Sequence, residues 1–355
     1  MHYLRQPPRA VLDRPTATAV TLLAKRHPEM PALIKPKRLQ AGDTVGIVAP
    51  SSPAFEQGHT EYSFRRLEKL GLKYKLGKHV FDRYGDLAGR DEARLDDLHS
   101  MWSDPDVKAI IPLRGGNGSV RLLPNVDFEL IKNNPKILIG YSDITGLLVP
   151  IHQKTGLVTF HGPTLGNFFE AEYTYRHFQN AVMGDKAIGV IEDPTEEIYK
   201  PKYPPPRLVL HSGKASGQLI GGSLTLIKQM MGTPFEIETK GKILFLEDVG
   251  EEPHSVERML VQLMLANKLH AAAGIIFGES VDCKPGESKR KVSPLNASLE
   301  SVLRDLLSDL KIPVVYGLRL GHGVEKFTLP LGVMATLDAL DSEKVTFSID
   351  EIATS

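Results

Sequence analysis

Short apolar runs along this chain alternate with stretches whose apolar positions recur about every 3.6 residues. Gly42–Pro50 reads as a first strand and is followed by the loop Ser51-Ser-Pro53. Phe55–Leu70 has helical spacing and stops at Gly71. Leu72–Leu76 is a second strand. Ala88–Ser103 holds a helix with Asp91, Glu92, Arg94, Asp96 and Asp97 on its wet side, and Val107–Leu113 is a strand again. Lys136–Ile139 is the short β-branched run that a central parallel strand requires. Gly140 permits a bend there, and an amphipathic helix from Asp143 to Gln153 follows, stopped by Gly156. Leu157–Phe160 is the next strand, ending in His161-Gly-Pro163. This alternation implies right-handed βαβ units and a mainly parallel sheet.

A proline-rich interval, Asp193–Arg207, interrupts the pattern and reads as a linker. Beyond it, Gln218–Met230 reads as a glycine turn and then a helix, and Lys242–Leu246 as a strand ending at Glu247-Asp248. Ser255–Ala266 is helical, Ala273–Phe277 a strand, Ser298–Asp309 a helix and Pro313–Tyr316 a short strand. Gly321-His322-Gly323 falls in the loop after it, and Val333–Leu337 with Lys344–Ile349 forms a terminal hairpin. The predicted fold is α/β. It has an N-terminal, mainly parallel, flavodoxin- or amidotransferase-like sheet with helices on both faces, and a smaller mixed α/β C-terminal domain. The expected divisions are a poorly ordered extension over 1–32, a first domain over 33–192, a linker over 193–207 and a second domain over 208–355.

Composition narrows the function. The 355 residues are 41% hydrophobic and 24% charged, with a formal net charge of zero. That profile is globular and favours neither nucleic acid nor an anionic membrane as partner. The single cysteine, Cys283, excludes an intrachain disulfide and a thiolate-rich metal site, and fits a reducing compartment. No run approaches the roughly 20 apolar residues of a membrane span. Met1–Met30 carries Arg5, Arg9, Arg14, Lys25 and Arg26 against Asp13 and Glu29, but its apolar run, Ala19–Ala24, is too weak for a secretory signal.

Ser142 stands at the bend between a buried strand and a helix. A hydroxyl held there, beside the first amides of a helix, meets the needs of a serine nucleophile with a stabilised oxyanion. The spacing is Gly-x-Ser-x-x-x-Gly, so the α/β-hydrolase signature is not met, and the residues of this stretch alone favour a helix N-cap. Arg114-Gly-Gly-Asn-Gly118 follows a strand that would end at the same sheet edge. It lacks the marks of a P-loop or a dinucleotide fingerprint, but glycines there let backbone amides approach a reacting centre. A base is also needed. Of the 12 histidines, His161, His254 and His322 occupy loop positions near these elements, and each also reads as an ordinary hydrogen-bonded histidine. His152, within the helix after Ser142, is expected out of reach.

Several motifs together resemble the LD-carboxypeptidases, the S66 serine peptidases. They are Lys37–Pro53, Arg114-Gly-Gly-Asn-Gly, Gly140-Tyr-Ser-Asp-Ile-Thr145, His161-Gly-Pro163, Gly221-Gly-Ser-Leu224, Gly232-Thr-Pro234, Ile243–Asp248, Arg258-Met-Leu260 and Gly321-His322, in that order. The resemblance spans about 33–340. It implies a triad with Ser142 as nucleophile, Glu247 as orienting carboxylate and His322 as base, and an oxyanion hole from the amides of Gly116 and Asp143. It implies a small murein-derived peptide as substrate, release of a terminal D-alanine in the cytoplasm, no metal or organic cofactor, and a homodimer. Arg114, Asn117 and His254 are candidates to contact substrate, Arg114 as the cation for a free carboxylate or simply as a structural loop residue. Asn117, Ser223, His254 and Glu257 depart from the usual residues and leave substrate preference open. A branch acting on peptidyl nucleotides of the microcin C type is the alternative, although Trp102, the one tryptophan, offers no obvious adenine platform. A non-catalytic ligand-binding protein with the same plan is the alternative of another class.

Overall fold

The computed structural model describes residues 31–54, 57–167, 171–193, 207–285 and 297–355, without the side chains of 57–60 and 167. The expected extension, up to residue 30, and the expected linker, between its two end residues, lie outside the described residues.

The first half runs β1 (Thr44–Val48), α1 (Gln57–Lys69), β2 (Lys73–Leu76), α2 (Asp91–Ser103), β3 (Val107–Pro112), α3 (Phe128–Asn133), β4 (Ile137–Gly140), α4 (Thr145–Thr155), β5 (Thr159–His161) and α5 (Glu172–Met183). The second half continues with β6 (Gly189–Val190), β7 (Leu208–His211), β8 (Lys214–Ser223), α6 (Leu224–Gln229), β9 (Ile243–Val249), α7 (Pro253–Leu265) and α8 (Lys268–Ala271). It closes with β10 (Gly274–Val281), α9 (Leu299–Leu307), β11 (Val314–Gly321), β12 (Leu329–Leu331), β13 (Met334–Asp338) and β14 (Thr346–Ile349).

Two sheets result. The first has six strands in the order β12-β5-β4-β3-β1-β2, parallel except for β12, which pairs antiparallel with β5. The second has eight, in the order β6-β14-β13-β8-β9-β10-β11-β7, with a parallel centre β8-β9-β10-β11 and antiparallel flanks. The α/β class and the parallel first sheet agree with the reading of the sequence, as does the hairpin β13-β14. Strand membership crosses the midpoint of the chain in one direction. β12 closes the first sheet, and β6 edges the second.

The inner parallel strands β1, β3, β4 and β9 are buried along nearly their whole length, as their apolar runs require, while the edge strand β2 is exposed. Four expectations are corrected. Gly221 and Gly222 lie in β8, not in a turn. A Cβ at Gly222 would sit 2.6 Å from Thr145 Oγ1, so glycine here admits the start of α4 against the strand. The helix after Ser142 starts at Thr145, after one 3-10 turn, and is not amphipathic. It packs against β4, β5 and β12 and also against β8 of the second sheet, which buries it on nearly all sides. Arg94 and Asp97 face inward, at 1% and 3% exposure, because both bind the backbone of neighbouring loops. Finally, β11 continues past Tyr316 to Gly321, directly before His322.

Candidate active site

The elements that matter end at the carboxyl edges of the two sheets, where open α/β sheets hold ligands. β4 ends at Gly140, and Ser142 follows with φ +60°, a left-handed conformation that a serine adopts only at a cost of about 1–2 kcal/mol. Its side chain caps neither the 3-10 turn nor α4, whose N-cap position is Ile144. The cap reading therefore does not account for Ser142. The turn is braced by its neighbour. The Asp143 carboxylate accepts from Ser51 Oγ at 2.5 Å and from the Ser119 amide at 2.8 Å, while Ser119 Oγ donates to the Asp143 carbonyl at 2.5 Å. The buried Arg94 guanidinium ties the carbonyls of Pro50 and Gly118 together, joining the loop after β1 to the glycine loop after β3.

The glycine loop reaches Ser142. A Cβ placed on Gly115 would lie 3.3 Å from Ser142 Oγ and 3.4 Å from the Asp143 amide nitrogen. The Asn117 amide donates to Ser52 Oγ at 3.1 Å, which fixes the exposed tip of the loop. Arg114 is half-buried, with Nη1 donating to the Pro53 carbonyl at 3.2 Å, and burial lowers its pKa.

In the second sheet, Glu247 is fully buried near the end of β9, and His322 follows β11. His322 Nδ1 lies 2.6 Å from Glu247 Oε2. An ionised carboxylate can only accept, so Nδ1 carries the proton and Nε2 is left with its lone pair. Burial alone would raise the Glu247 pKa; the charge that His322 carries when protonated, with His161 adding to it, outweighs that and holds it at about 2. The Tyr141 ring meets the His322 ring edge-on with centroids 4.9 Å apart, linking the residue before Ser142 to the imidazole. Lys326 Nζ donates to the Gly323 carbonyl at 2.6 Å and lies 5.2 Å from the Tyr141 ring centre. Arg319 pairs at 3.0 Å with Glu279, a buried acid on the neighbouring strand.

The glycines around His322 make room for acids. A Cβ on Gly321, whose φ is +110°, would meet Glu247 Oε2 at 2.5 Å. Gly321→Ala should therefore displace the carboxylate from His322. A misplacement of this size costs about 100-fold in turnover, and a steady-state assay of the variant checks it; unchanged kcat would mean that the Glu247–His322 geometry is not needed.

Asp248, next in sequence, faces a different balance. Burial and then the charge of Glu247 push its pKa up to about 6, despite bonds from the Thr225 and Val249 amides. A carboxyl that binds its proton more tightly when folded contributes most to stability below the unfolded pKa, and that contribution is lost as pH rises through 6. Wild type should lose roughly 2 kcal/mol against Asp248→Asn between pH 4 and pH 7.5. Denaturant unfolding of both at the two pH values tests this, and an equal difference at both would refute it.

Residues 45–162 match the LD-carboxypeptidase N-terminal domain of peptidase S66, and residues 216–337 match its C-terminal domain. The chain belongs to the LD-carboxypeptidase family. It is 40% identical over 329 residues to a probable murein peptide carboxypeptidase of Bacillus subtilis, covering 88% of this chain and 93% of that one. Among solved structures it resembles the microcin C7 self-immunity protein in complex with aspartyl sulfamoyl adenosine, with TM-score 0.80, 30% identity and coverage of 91% and 100%. It also resembles a muramoyltetrapeptide carboxypeptidase from Oxalobacter formigenes, with TM-score 0.71, 28% identity and coverage of 86% and 98%. This LD-carboxypeptidase chain is thus a serine peptidase by family. Among the described residues no helix is long and apolar enough to cross a membrane.

Among the residues singled out in the sequence, Glu247 and His322 are hydrogen bonded, and Gly115 of the glycine loop lies against Ser142. His254 is exposed on the first turn of α7, with Nδ1 at 3.0 Å from Glu252. Ser223, one of the departures, is the N-cap of α6, a position that serine and asparagine fill equally well. His152 is buried and bonded to the Leu157 carbonyl at 3.0 Å, and burial lowers its pKa to about 4. Tyr141 lies within the Gly140–Thr145 motif but has no role assigned from the sequence, and Lys326 is an ordinary lysine outside the motifs. A grouping outside the site, His79, Asp96 and Asp97, brings its ligand atoms within 4.8 Å, but His79 Nδ1 is turned to Asp82 and Asp97 accepts the His79 amide.

Proposed function

We propose that this LD-carboxypeptidase hydrolyses an L-to-D amide bond and releases terminal D-alanine from murein tetrapeptide, with Ser142, His322 and Glu247 acting together. The observation that carries the reading is the 2.6 Å bond between buried Glu247 and part-buried His322, which fixes the tautomer a base requires. The strained, non-capping conformation of Ser142 supports it.

In this mechanism His322 Nε2 takes the Ser142 proton as Oγ attacks the scissile carbonyl. The amides of Gly116 and Asp143 hold the oxyanion; losing one such donor costs about 3 kcal/mol. The imidazolium, stabilised by Glu247, protonates the leaving D-alanine amine. Water, deprotonated by the same imidazole, then releases the acyl group from Ser142. Arg114, with its guanidinium beside the glycine loop, is the proposed partner of the substrate's free carboxylate, and Asn117 and His254 are proposed to line the approach. The cytoplasm as the place of action follows from this substrate, and a homodimer is the proposed assembly, measurable by light scattering.

The second reading is hydrolysis of an aminoacyl nucleotide, favoured by the similarity to the self-immunity protein with its sulfamoyl adenosine. Trp102 gives it no support, since its ring is buried and its Nε1 donates to the Asn134 carbonyl at 2.9 Å. Assaying D-alanine release from murein tetrapeptide against cleavage of aspartyl sulfamoyl adenosine separates the two. Labelling of Ser142 by a fluorophosphonate separates both from a ligand-binding role, because a binder leaves Ser142 unlabelled.

A further inference from the structure

Glu247 has two imidazoles around it, and the mechanism above uses one. His161 closes β5, at the carboxyl edge of the first sheet, and is 3% exposed. Its Nε2 lies 3.7 Å from Glu247 Oε1, on the side of the carboxylate away from the oxygen that His322 engages. Among the described residues neither Nε2 nor Oε1 has a hydrogen-bond partner, although both are buried. A buried carboxylate oxygen and a buried ring nitrogen are both groups that proteins normally satisfy. Each is here the other's facing polar atom, and the gap exceeds a normal N–H···O bond by about 0.8 Å. That distance is within the reach of a small side-chain rotation.

The surroundings restrict which rotation occurs. The His161 ring stands edge-on to Phe245 at 5.0 Å and to Tyr141 at 6.3 Å, so aromatic walls hold its plane. The carboxylate, pinned through Oε2, can pivot about that bond and bring Oε1 to Nε2. The ring also bridges the two halves of the site. It sits on the strand next to β4, which leads into Ser142, and faces a carboxylate on β9.

We propose that His161 is a positioning residue for Glu247. As its Nε2–H tautomer it donates to Oε1 in the working enzyme, so that the carboxylate is clamped at both oxygens and Oε2 stays aimed at His322 Nδ1. No bond is made or broken and no proton is transferred by His161. The proposal rests on the Ser142–His322–Glu247 reading and adds a fourth side chain to it.

The test uses the full-length protein and the second-order rate of Ser142 labelling by a fluorophosphonate, a readout independent of the peptide substrate. Steady-state kcat and KM for D-alanine release run beside it. Three variants are compared. His161→Ala removes the ring, His161→Phe fills the space without a donor, and His161→Gln keeps an N–H donor at similar reach. His161→Phe and His161→Ala should lower the labelling rate and kcat about 10- to 100-fold with KM changed less than about twofold. His161→Gln should recover to within about fivefold of wild type, whatever its thermal midpoint. Should His161→Ala fail to fold, the Phe and Gln pair decides alone. A Phe variant as reactive as wild type, or a Gln variant as impaired as Phe, overturns the proposal. If the wild-type protein does not label at Ser142, the underlying reading fails and the proposal goes with it; labelling of wild type with an unaffected Phe variant removes the role of His161 only.

Discussion

Ser142→Ala should lower D-alanine release by roughly 10⁵-fold or more while leaving the fold intact. Loss of a serine nucleophile from a unit of this kind costs about that much, since the remaining base and carboxylate have nothing to activate. The variant also tests strain. Among the described residues Ser142 holds φ +60° with no helix cap made by its side chain. Glycine adopts that conformation without penalty, so Ser142→Gly should be more stable than Ser142→Ala by about 1 kcal/mol, with both inactive. Denaturant midpoints and D-alanine release, measured on the same preparations, check both parts. Substantial turnover by Ser142→Ala would exclude it as nucleophile, and an Ala variant as stable as the Gly variant would mean that the turn is unstrained.

Glu247→Gln should cost about 10⁴-fold in kcat with little change in KM. The amide preserves the shape of the side chain but can present its N–H₂ group to His322 Nδ1, which drives the imidazole to the tautomer with the proton on Nε2. That ring cannot accept the serine proton. The same substitution removes the negative charge that stabilises the imidazolium in the transition state. Because Glu247 is completely buried and bonded at 2.6 Å, water cannot substitute for it. A loss below tenfold would show that the carboxylate is structural, and the hydrogen bond to His322 would then need another explanation.

The sequence displays the parts of this site more clearly than their arrangement. Apolar runs marked β1, β3, β4 and β9 because strands buried on both faces have few polar positions. The residues at their carboxyl ends, Gly115, Ser142 and Glu247, stood out for the same reason. Glu247 and His322, though, are 75 residues apart, and their meeting depends on β9, β10 and β11 lying side by side in parallel. Strand order is not written in local periodicity. The resemblance to LD-carboxypeptidases, not spacing, separated His322 from His161 and His254. Errors arose where tertiary contacts override local preference. Gly221-Gly222 looked like a turn because glycine usually punctuates, yet Gly222 serves close approach to Thr145. Arg94 and Asp97 looked solvated because charges usually are, yet loop backbone buries them.

β12 gives the molecule a property that its two-part sequence conceals. After His322 the chain leaves the second sheet and enters the first, where Leu329–Leu331 pairs with the strand that ends in His161. The imidazole of residue 322 therefore hangs on a bridge anchored at both banks. Sliding one sheet past the other must pull on that span, so the halves cannot drift apart while keeping the base in place. For the same reason the gene cannot simply be cut in two. A front half made alone would present a bare strand edge where Leu329–Leu331 belongs, an invitation to pair with another chain.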